Sequence, residues 1–435
     1  MQTMEAASPR TERFRHLTIS LPVKIALSVV MVLSVVPKII NTRGFHYHLD
    51  LDVYRVGAQR VLDGQELYSG HFHIIGDTYL PFTYPPISAL LFTPLAVLPY
   101  DLSAILLIVA TVAITWWVFA HTVHVSARLD RASAGWIAVT LTTVLIHLSP
   151  IHTSLAYGQI NVLLMGMVFA DALVVPRRFR GLLTGAAVAI KLTPAVFGLW
   201  FLLRKDWGSI LRMGAGTLGT TALAWLILPR DSLEYWTHTL RDSSRIGNHE
   251  YALNQSLNGL LYRFGLRTAD SSSLLWVLLV CVSLAVIAFV MFKLLQIQAP
   301  IVALCVNSLF ALLASPISWN HHWSWAPVLL VALASYAFAH PASPLSTPRW
   351  LWITLVVLGF AAFAFEPTTF VPFQEQRELE WNAWQALLGN AYLWWTILAL
   401  VVMVIRLAPY RGNSSTNRGR RNAASAEVNK EASEA

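Results

Sequence analysis

What most limits the fold of this chain is a succession of apolar runs of roughly 16–23 residues, separated by short polar or basic stretches. A helix of that length crosses the hydrocarbon core of a bilayer, where each backbone N–H and C=O must be satisfied within the segment. Composition agrees: of 435 residues 56% are hydrophobic and only 12% charged, and the mean hydropathy is +0.55. The sequence therefore predicts an all-α polytopic membrane protein and excludes a soluble globular domain. Tryptophans near run ends (Trp116-Trp117, Trp207, Trp236, Trp394-Trp395) suit an interfacial belt. Cys281 and Cys305 lie inside apolar runs and read as core.

Basic clusters orient the runs. Residues 1–22, with Arg10, Arg13 and Arg15, read as a cytoplasmic leader, and 24–40 as an uncleaved first span. Spans follow near 102–124, 134–148 and 159–176, then near 209–229, 274–293, 300–315, 323–340, 350–366 and 391–407. Residues 182–203 conflict with a single crossing, because Arg177–Arg180 and Arg204-Lys205 both ask for the cytoplasmic side. Pro194 disfavours a continuous helix, so a pair of short helices with Lys191 near the apex resolves the conflict. The count is then about 12 helices, with both termini cytoplasmic. One transmembrane domain, 23–408, carries external loops near 41–101, 230–273 and 367–390. The tail 409–435 is too polar to pack and is expected to be disordered.

In so apolar a chain, residues 46–92 stand out by carrying Asp50, Asp52, Asp63, Glu66 and Asp77. From Asp50 the residues Leu51, Tyr54, Ala58, Val61 and Leu62 recur at helical spacing, predicting an amphipathic surface helix. Asp50 could be no more than its N-cap. The apolar end of the stretch, 87–98, reads as dipping into the bilayer. The predicted topology gathers other polar groups on the same face: Gln159 and Asn161; Asn254 and Gln255; His321 and His322; the apex Lys191; and arginines of the 230–273 loop, Arg245 among them. Singly, each has a plain reading as helix–helix hydrogen-bond glue or interfacial polarity. Together they describe one cavity.

An acid, a histidine, a lysine and arginines at a membrane surface fit a phosphate-linked lipid substrate, the cations holding phosphate and a carboxylate taking a proton. There is neither a phosphate-cradling G-x-x-x-x-G-K-[ST] loop nor a dinucleotide fingerprint. His46 and His48 with Asp50 and Asp52 could meet a divalent ion, but neighbouring histidines are more often only polar surface. A transporter is the rival class, favoured by a lysine in a broken helix; against it, the polar groups line one face and no inverted halves are visible.

Asp50-Leu51-Asp52-Val53-Tyr54, Gly64-Gln65-Glu66-Leu67-Tyr68 and Pro81-Phe82-Thr83-Tyr84-Pro85-Pro86 resemble the opening signature of the polyprenol-phosphate-mannose-dependent mannosyltransferases of actinobacteria. Gly158-Gln159-Ile160-Asn161, Lys191-Leu192-Thr193-Pro194, Asn254-Gln255-Ser256-Leu257 and Ser315-Pro316 with His321-His322-Trp323 are similar to later landmarks. Within the family the likeness is greatest to the branch that mannosylates phosphatidylinositol mannosides through α-1,2 bonds; sister enzymes of lipomannan synthesis share the opening signature. The resemblance implies a GT-C-type fold in the plasma membrane, with the active site on the extracytoplasmic face. It also implies metal-independent, inverting transfer from β-linked polyprenyl-phosphate-mannose to a glycolipid. No cofactor is implied beyond that donor, and no nucleic-acid partner. The family's catalytic aspartate maps to Asp50, with Asp52 second. His322 would orient or relay, Lys191, Arg55 or Arg245 would steady the departing phosphate, and Tyr84, Gln159, Asn161, Asn254, Gln255 and His321 would complete the binding site.

Overall fold

The computed structural model describes residues 15–40, 48–74, 78–268, 273–341 and 343–410. Most of the leader, His46, Asp77 and the tail beyond 410 lie outside the described residues. Eighteen α-helices are found among the described residues, with one two-stranded antiparallel hairpin pairing Phe72–His73 with Tyr79–Leu80.

Five helical segments are long and apolar enough to cross a membrane unaided: Leu21–Lys38, Tyr100–Ser126, Trp207–Ile227, Leu274–Gln296 and Asn320–Ala339. Two further pairs, Arg131–Leu145 with Ser149–Tyr157 and Ala383–Gly389 with Ala391–Leu407, qualify only if each is one span bent by 76° and 75°. The expected third span thus ends early, and residues 149–157, read as loop, form a helix of their own. Other runs read as spans are short: Asn161–Leu173, Pro300–Ala314 and Arg349–Phe365. Helix Asn161–Leu173 shows the cause, starting only after the left-handed Gly158 turn and ending before Pro176.

The helices divide by surroundings. On α1 (Leu21–Ile40) and α13 (Leu274–Gln296), Ile25, Leu33, Leu278 and Val282 are exposed, as lipid-facing residues should be. On α14 (Pro300–Ala314) and α15 (Trp325–Ala339) most side chains are buried. The tryptophans divide likewise: Trp207 is exposed, whereas Trp395 is core.

The basic clusters gather at one end of the bundle. The Arg15 backbone pairs with Arg128 and Asp130, and His340 reaches the Ser126 carbonyl at 2.8 Å. Lys293 Nζ donates to the Tyr410 carbonyl at 2.9 Å, and Arg406 donates to Thr347. Arg212 reaches the carbonyls of Arg180 and Arg177 at 2.7 and 2.8 Å, and Arg177 lies 3.8 Å from Asp206.

Those last contacts explain residues 177–206. Helix α8 (Leu182–Ile190) ends at an extended Lys191, a 3-10 turn spans Thr193–Phe197, and α9 (Gly198–Leu203) returns. The two ends of the pair therefore meet. α8 runs parallel to α10 (Trp207–Ile227): a Cβ at Gly181 would strike Ser209 O, and one at Gly185 would strike Met213 O at 2.2 Å. Small residues let the two backbones touch, as membrane helices require for close packing. Beneath the N-terminus of α8, buried Asp171 accepts from Gly181 N, Thr184 N and Thr184 Oγ1 at 2.6–3.0 Å, satisfying its first free amides.

The Gly185 contact predicts a local cost. Gly185→Val must push the touching backbones apart and is expected to destabilise by about 1–3 kcal/mol, as overpacking does. Gly219→Val, on α10 with nothing within 4 Å of its added Cβ, is the control. Thermal unfolding in detergent checks this; equal midpoints for the two variants would refute the packing.

Candidate active site

The acidic stretch forms α2 (Leu49–Leu62), which buries Leu51, Val53, Tyr54, Gly57 and Ala58. Leu62, expected on that face, is 49% exposed. The difference lies at Gly57, where Phe82 packs so closely that a Cβ would come within 2.5 Å of its ring. The partner helix α3 (Pro86–Val97) matches the apolar end of the stretch. His48, not Asp50, holds the cap position of α2, and without a side-chain cap bond. That overturns the N-cap reading: Asp50 lies inside the first turn, where the helix dipole favours a negative charge, and its carboxylate takes a hydrogen bond from Gln159.

Gln159 arrives on a tight turn. Helix α6 (Ser149–Tyr157) closes at Gly158 with φ +68°, and a Cβ there would meet Leu51 Cβ at 2.8 Å, so only glycine lets this turn rest on α2. Gln159 Oε1 accepts from Tyr54 at 3.0 Å and faces Tyr84 OH and Asn161 Nδ2, each at 3.3 Å. With Oε1 committed to donors, the Nε2 amide is left for the carboxylate of Asp50.

Lys191 completes the cluster from the broken helix. Its Nζ donates to Asn161 Oδ1 at 2.9 Å and Tyr84 OH at 3.3 Å, lies 5.0 Å from the Tyr84 ring centre, and stands 3.4 Å from His322 Nε2. His322 Nδ1 accepts the backbone N–H of Trp319 at 3.2 Å. A backbone N–H cannot turn round, so a neutral His322 carries its proton on Nε2. An ammonium and an imidazole N–H therefore converge, an arrangement that suits an oxyanion between them. The turn bearing the histidines is held from behind: Asn320 Nδ2 donates to Glu366 Oε1 at 2.6 Å, and the same oxygen takes Ser149 Oγ at 2.8 Å.

These groups face one cavity of about 670 Å³, whose wall includes Asp50, Tyr84, Gln159, Lys191, Arg245, His321 and His322. Its size is that of a ligand site. Burial pushes the Asp50 carboxyl up to about 6, against the Gln159 hydrogen bond and the charge of Lys191, which pull it down. A carboxylate so placed is a better proton acceptor at neutral pH than a free aspartate.

Other expected site residues sit elsewhere. Asp52, two positions along the helix, is not on the cavity wall and lies near Tyr100. Arg55 binds the carbonyls of Leu95 and Leu98 and the Ser103 hydroxyl, clasping the end of α3 to the start of α4 (Tyr100–Ser126). Asn254 spans the His249 and Pro316 carbonyls and the Ser318 amide, and Gln255 joins the Ala252 and Gly389 carbonyls. Both are loop clamps behind the cavity. Buried His48 bonds the Ala156 carbonyl at 2.9 Å, and no cluster of three or more His, Cys, Asp or Glu suited to a metal exists among the described residues. Reading the sequence missed Tyr54, taken only as an apolar face residue, and Glu366, taken only as the end of a span. Tyr157, Tyr235 and Asp242 also line the cavity.

Residues 82–316 match the model of glycosyltransferase family 87. The chain is 39% identical over 384 residues to the polyprenol-phosphate-mannose-dependent alpha-(1-2)-phosphatidylinositol mannoside mannosyltransferase of Mycolicibacterium smegmatis, covering 82% of this chain and 83% of that one. To the protein of the same description from Mycobacterium tuberculosis it is 35% identical over 389 residues, 84% and 87% of the two chains. A Mycolicibacterium smegmatis alpha-(1-2)-phosphatidylinositol pentamannoside mannosyltransferase is 34% identical over 318 residues, 72% of this chain and 75% of the relative. No solved structure matches. With that match to the family model, and with identity above 30% across more than four-fifths of the chain, the protein belongs to glycosyltransferase family 87.

Proposed function

We propose that this enzyme transfers mannose from polyprenyl-phosphate-mannose to a mannosylated phosphatidylinositol, forming an α-1,2 bond with inversion. The observation that carries the reading is the joint exposure of Asp50, Lys191 and His322 to one cavity of about 670 Å³. A proton acceptor and two convergent donors are what displacement of a sugar from a phosphate needs.

In the proposed step the acceptor's 2-hydroxyl oxygen attacks C1 of the donor mannose as Asp50 takes the hydroxyl proton. The bond from C1 to the phosphate oxygen breaks, and its electron pair leaves on polyprenyl phosphate. Lys191 Nζ and His322 Nε2–H stabilise that phosphate, and Arg245, also on the wall, serves it or the acceptor headgroup. His322 therefore acts on the leaving group instead of relaying a proton from Asp50. Protein cations supply the positive charge, so the mechanism calls for no metal.

The domain is proposed to be GT-C-type, with about twelve membrane helices once the short apolar helices are counted as crossings. By the positive-inside rule the basic end, with both termini, faces the cytoplasm of a plasma-membrane protein and the Asp50 cavity faces outward.

Purified protein given polyprenyl-phosphate-mannose and a panel of mannosylated phosphatidylinositols tests the reading. It predicts one added mannose, α-1,2-linked by NMR. Transfer through α-1,6 bonds, or only to lipomannan-type acceptors, would favour a sister activity; no transfer to any mannolipid would overturn the assignment.

A further inference from the structure

A second cavity, of about 500 Å³, opens at the basic end of the bundle, where α7 (Asn161–Leu173) and α9 finish and the α13–α14 turn passes. Arg180, Arg204, Trp200, Gln298, Leu203 and Leu295 are among its lining residues. Asn161, which binds Lys191 of the first cavity, and Leu173 at this one are opposite ends of α7, whose 13 residues put the two sites about 20 Å apart at 1.5 Å per residue.

Arginines dominate its charged lining. Arg180 Nη2 donates to the Val175 carbonyl at 3.1 Å, but its Nε is buried with no acceptor. Trp200, 1% exposed, likewise has a buried Nε1 without a partner. Both atoms are enclosed by protein, so the case for an occupant rests on the two guanidinium groups, Arg180 and Arg204, which share this lining with no carboxylate among its residues. The Arg204 guanidinium lies 4.9 Å from the Trp200 ring centre. Desolvation first, and then the charges of Arg180 and Arg177, weaken its hold on its proton more than Asp206 strengthens it.

The nearby carboxylates are already engaged. Asp171 spends both oxygens on the start of α8, and Asp206 accepts from Ser209 N at 3.4 Å and faces Arg177. The lining also carries apolar residues, Ala172, Leu173, Leu203, Leu295 and Pro300. A phosphate held by the arginines, with apolar chain along the leucines, matches both kinds of lining residue. A basic pocket between membrane helices is the setting in which anionic headgroups bind.

We infer that this cavity is a binding site for the phosphate headgroup of an anionic phospholipid, in the leaflet opposite the Asp50 cavity. The site is independent of the transfer chemistry. The bound phosphate would hold the broken pair α8–α9 to the α13–α14 turn.

Delipidated full-length protein in detergent is titrated with dioleoyl-phosphatidylglycerol, dioleoyl-phosphatidylcholine or inorganic phosphate. Binding is read by native mass spectrometry and by thermal shift. The expected result is binding and stabilisation by phosphatidylglycerol only, weakened about fivefold for each arginine lost in Arg180→Gln and Arg204→Gln. Arg131→Gln, at the same end on an exposed residue, should bind as the parent does. Arg204 accounts for no hydrogen bond above, so its variant keeps the result readable even if Arg180→Gln folds poorly. Equal binding of both lipids, or unchanged phosphatidylglycerol affinity in Arg204→Gln, would overturn the site. Stabilisation by inorganic phosphate as strong as by phosphatidylglycerol would overturn the lipid assignment in favour of a soluble phosphate compound.

Discussion

Asp50→Asn is expected to fold like the parent and to transfer mannose about 10²- to 10⁴-fold more slowly, the usual worth of general-base catalysis. Asparagine has nearly the same volume and keeps an oxygen toward the Gln159 amide. No cap is lost, because Asp50 does not cap α2. What disappears is the capacity to take the acceptor's proton. Asp52→Asn, off the cavity wall, should cost little. Transfer assays with purified variants, beside thermal unfolding, decide the matter. A well-folded Asp50→Asn with parental turnover would remove Asp50 as the base, and a dead Asp52→Asn in the same assay would name its replacement.

Lys191→Met should lower kcat by on the order of 100-fold or more, as removal of one preorganised contact to developing charge commonly does. The loss should appear in kcat more than in acceptor KM, because the lysine's charge is needed when the phosphate departs. A second effect follows from the same charge. Lys191 holds the Asp50 pKa down, so without it the carboxylate protonates more readily and the residual activity should fail at a higher pH than the parent's. Methionine preserves the stem, but Asn161 Oδ1 loses its donor, so thermal unfolding must accompany the kinetics. Parental turnover in a folded Lys191→Met would make the lysine a structural hydrogen-bond donor only.

The sequence was legible wherever a local period or a charge rule did the constraining. Asp50, Tyr54 and Ala58 announce α2 by helical spacing, and the basic residues flanking 182–203 ask for both ends of the pair on one side, where Arg177 and Asp206 lie 3.8 Å apart. Contacts set by distant partners were not legible. Glu366 looks like the end of a membrane run because its partner Ser149 is 217 residues away. Arg55 follows the signature closely enough to suggest a phosphate ligand, yet the unpaired carbonyls ending α3 claim it. Asn254 and Gln255 are polar in an apolar chain for a similar reason: they tie loops whose carbonyls have no helix to bond. The number of full crossings was hard to read because composition marks a run as apolar but does not show where a turn cuts it, as Gly158 does before α7.

The pH dependence of kcat/KM for the wild-type enzyme tests the central claim most directly, since it reads the proton acceptor in free enzyme. Burial outweighs Lys191 and Gln159 and raises the Asp50 pKa to about 6. Below that pH the base is protonated, so kcat/KM should fall about tenfold per unit as pH drops, and level off above it. A kcat/KM that stays level down to about pH 4.5 would indicate an ordinary aspartate, or none, in the rate-limiting step and would contradict the assignment of a buried Asp50 as the base.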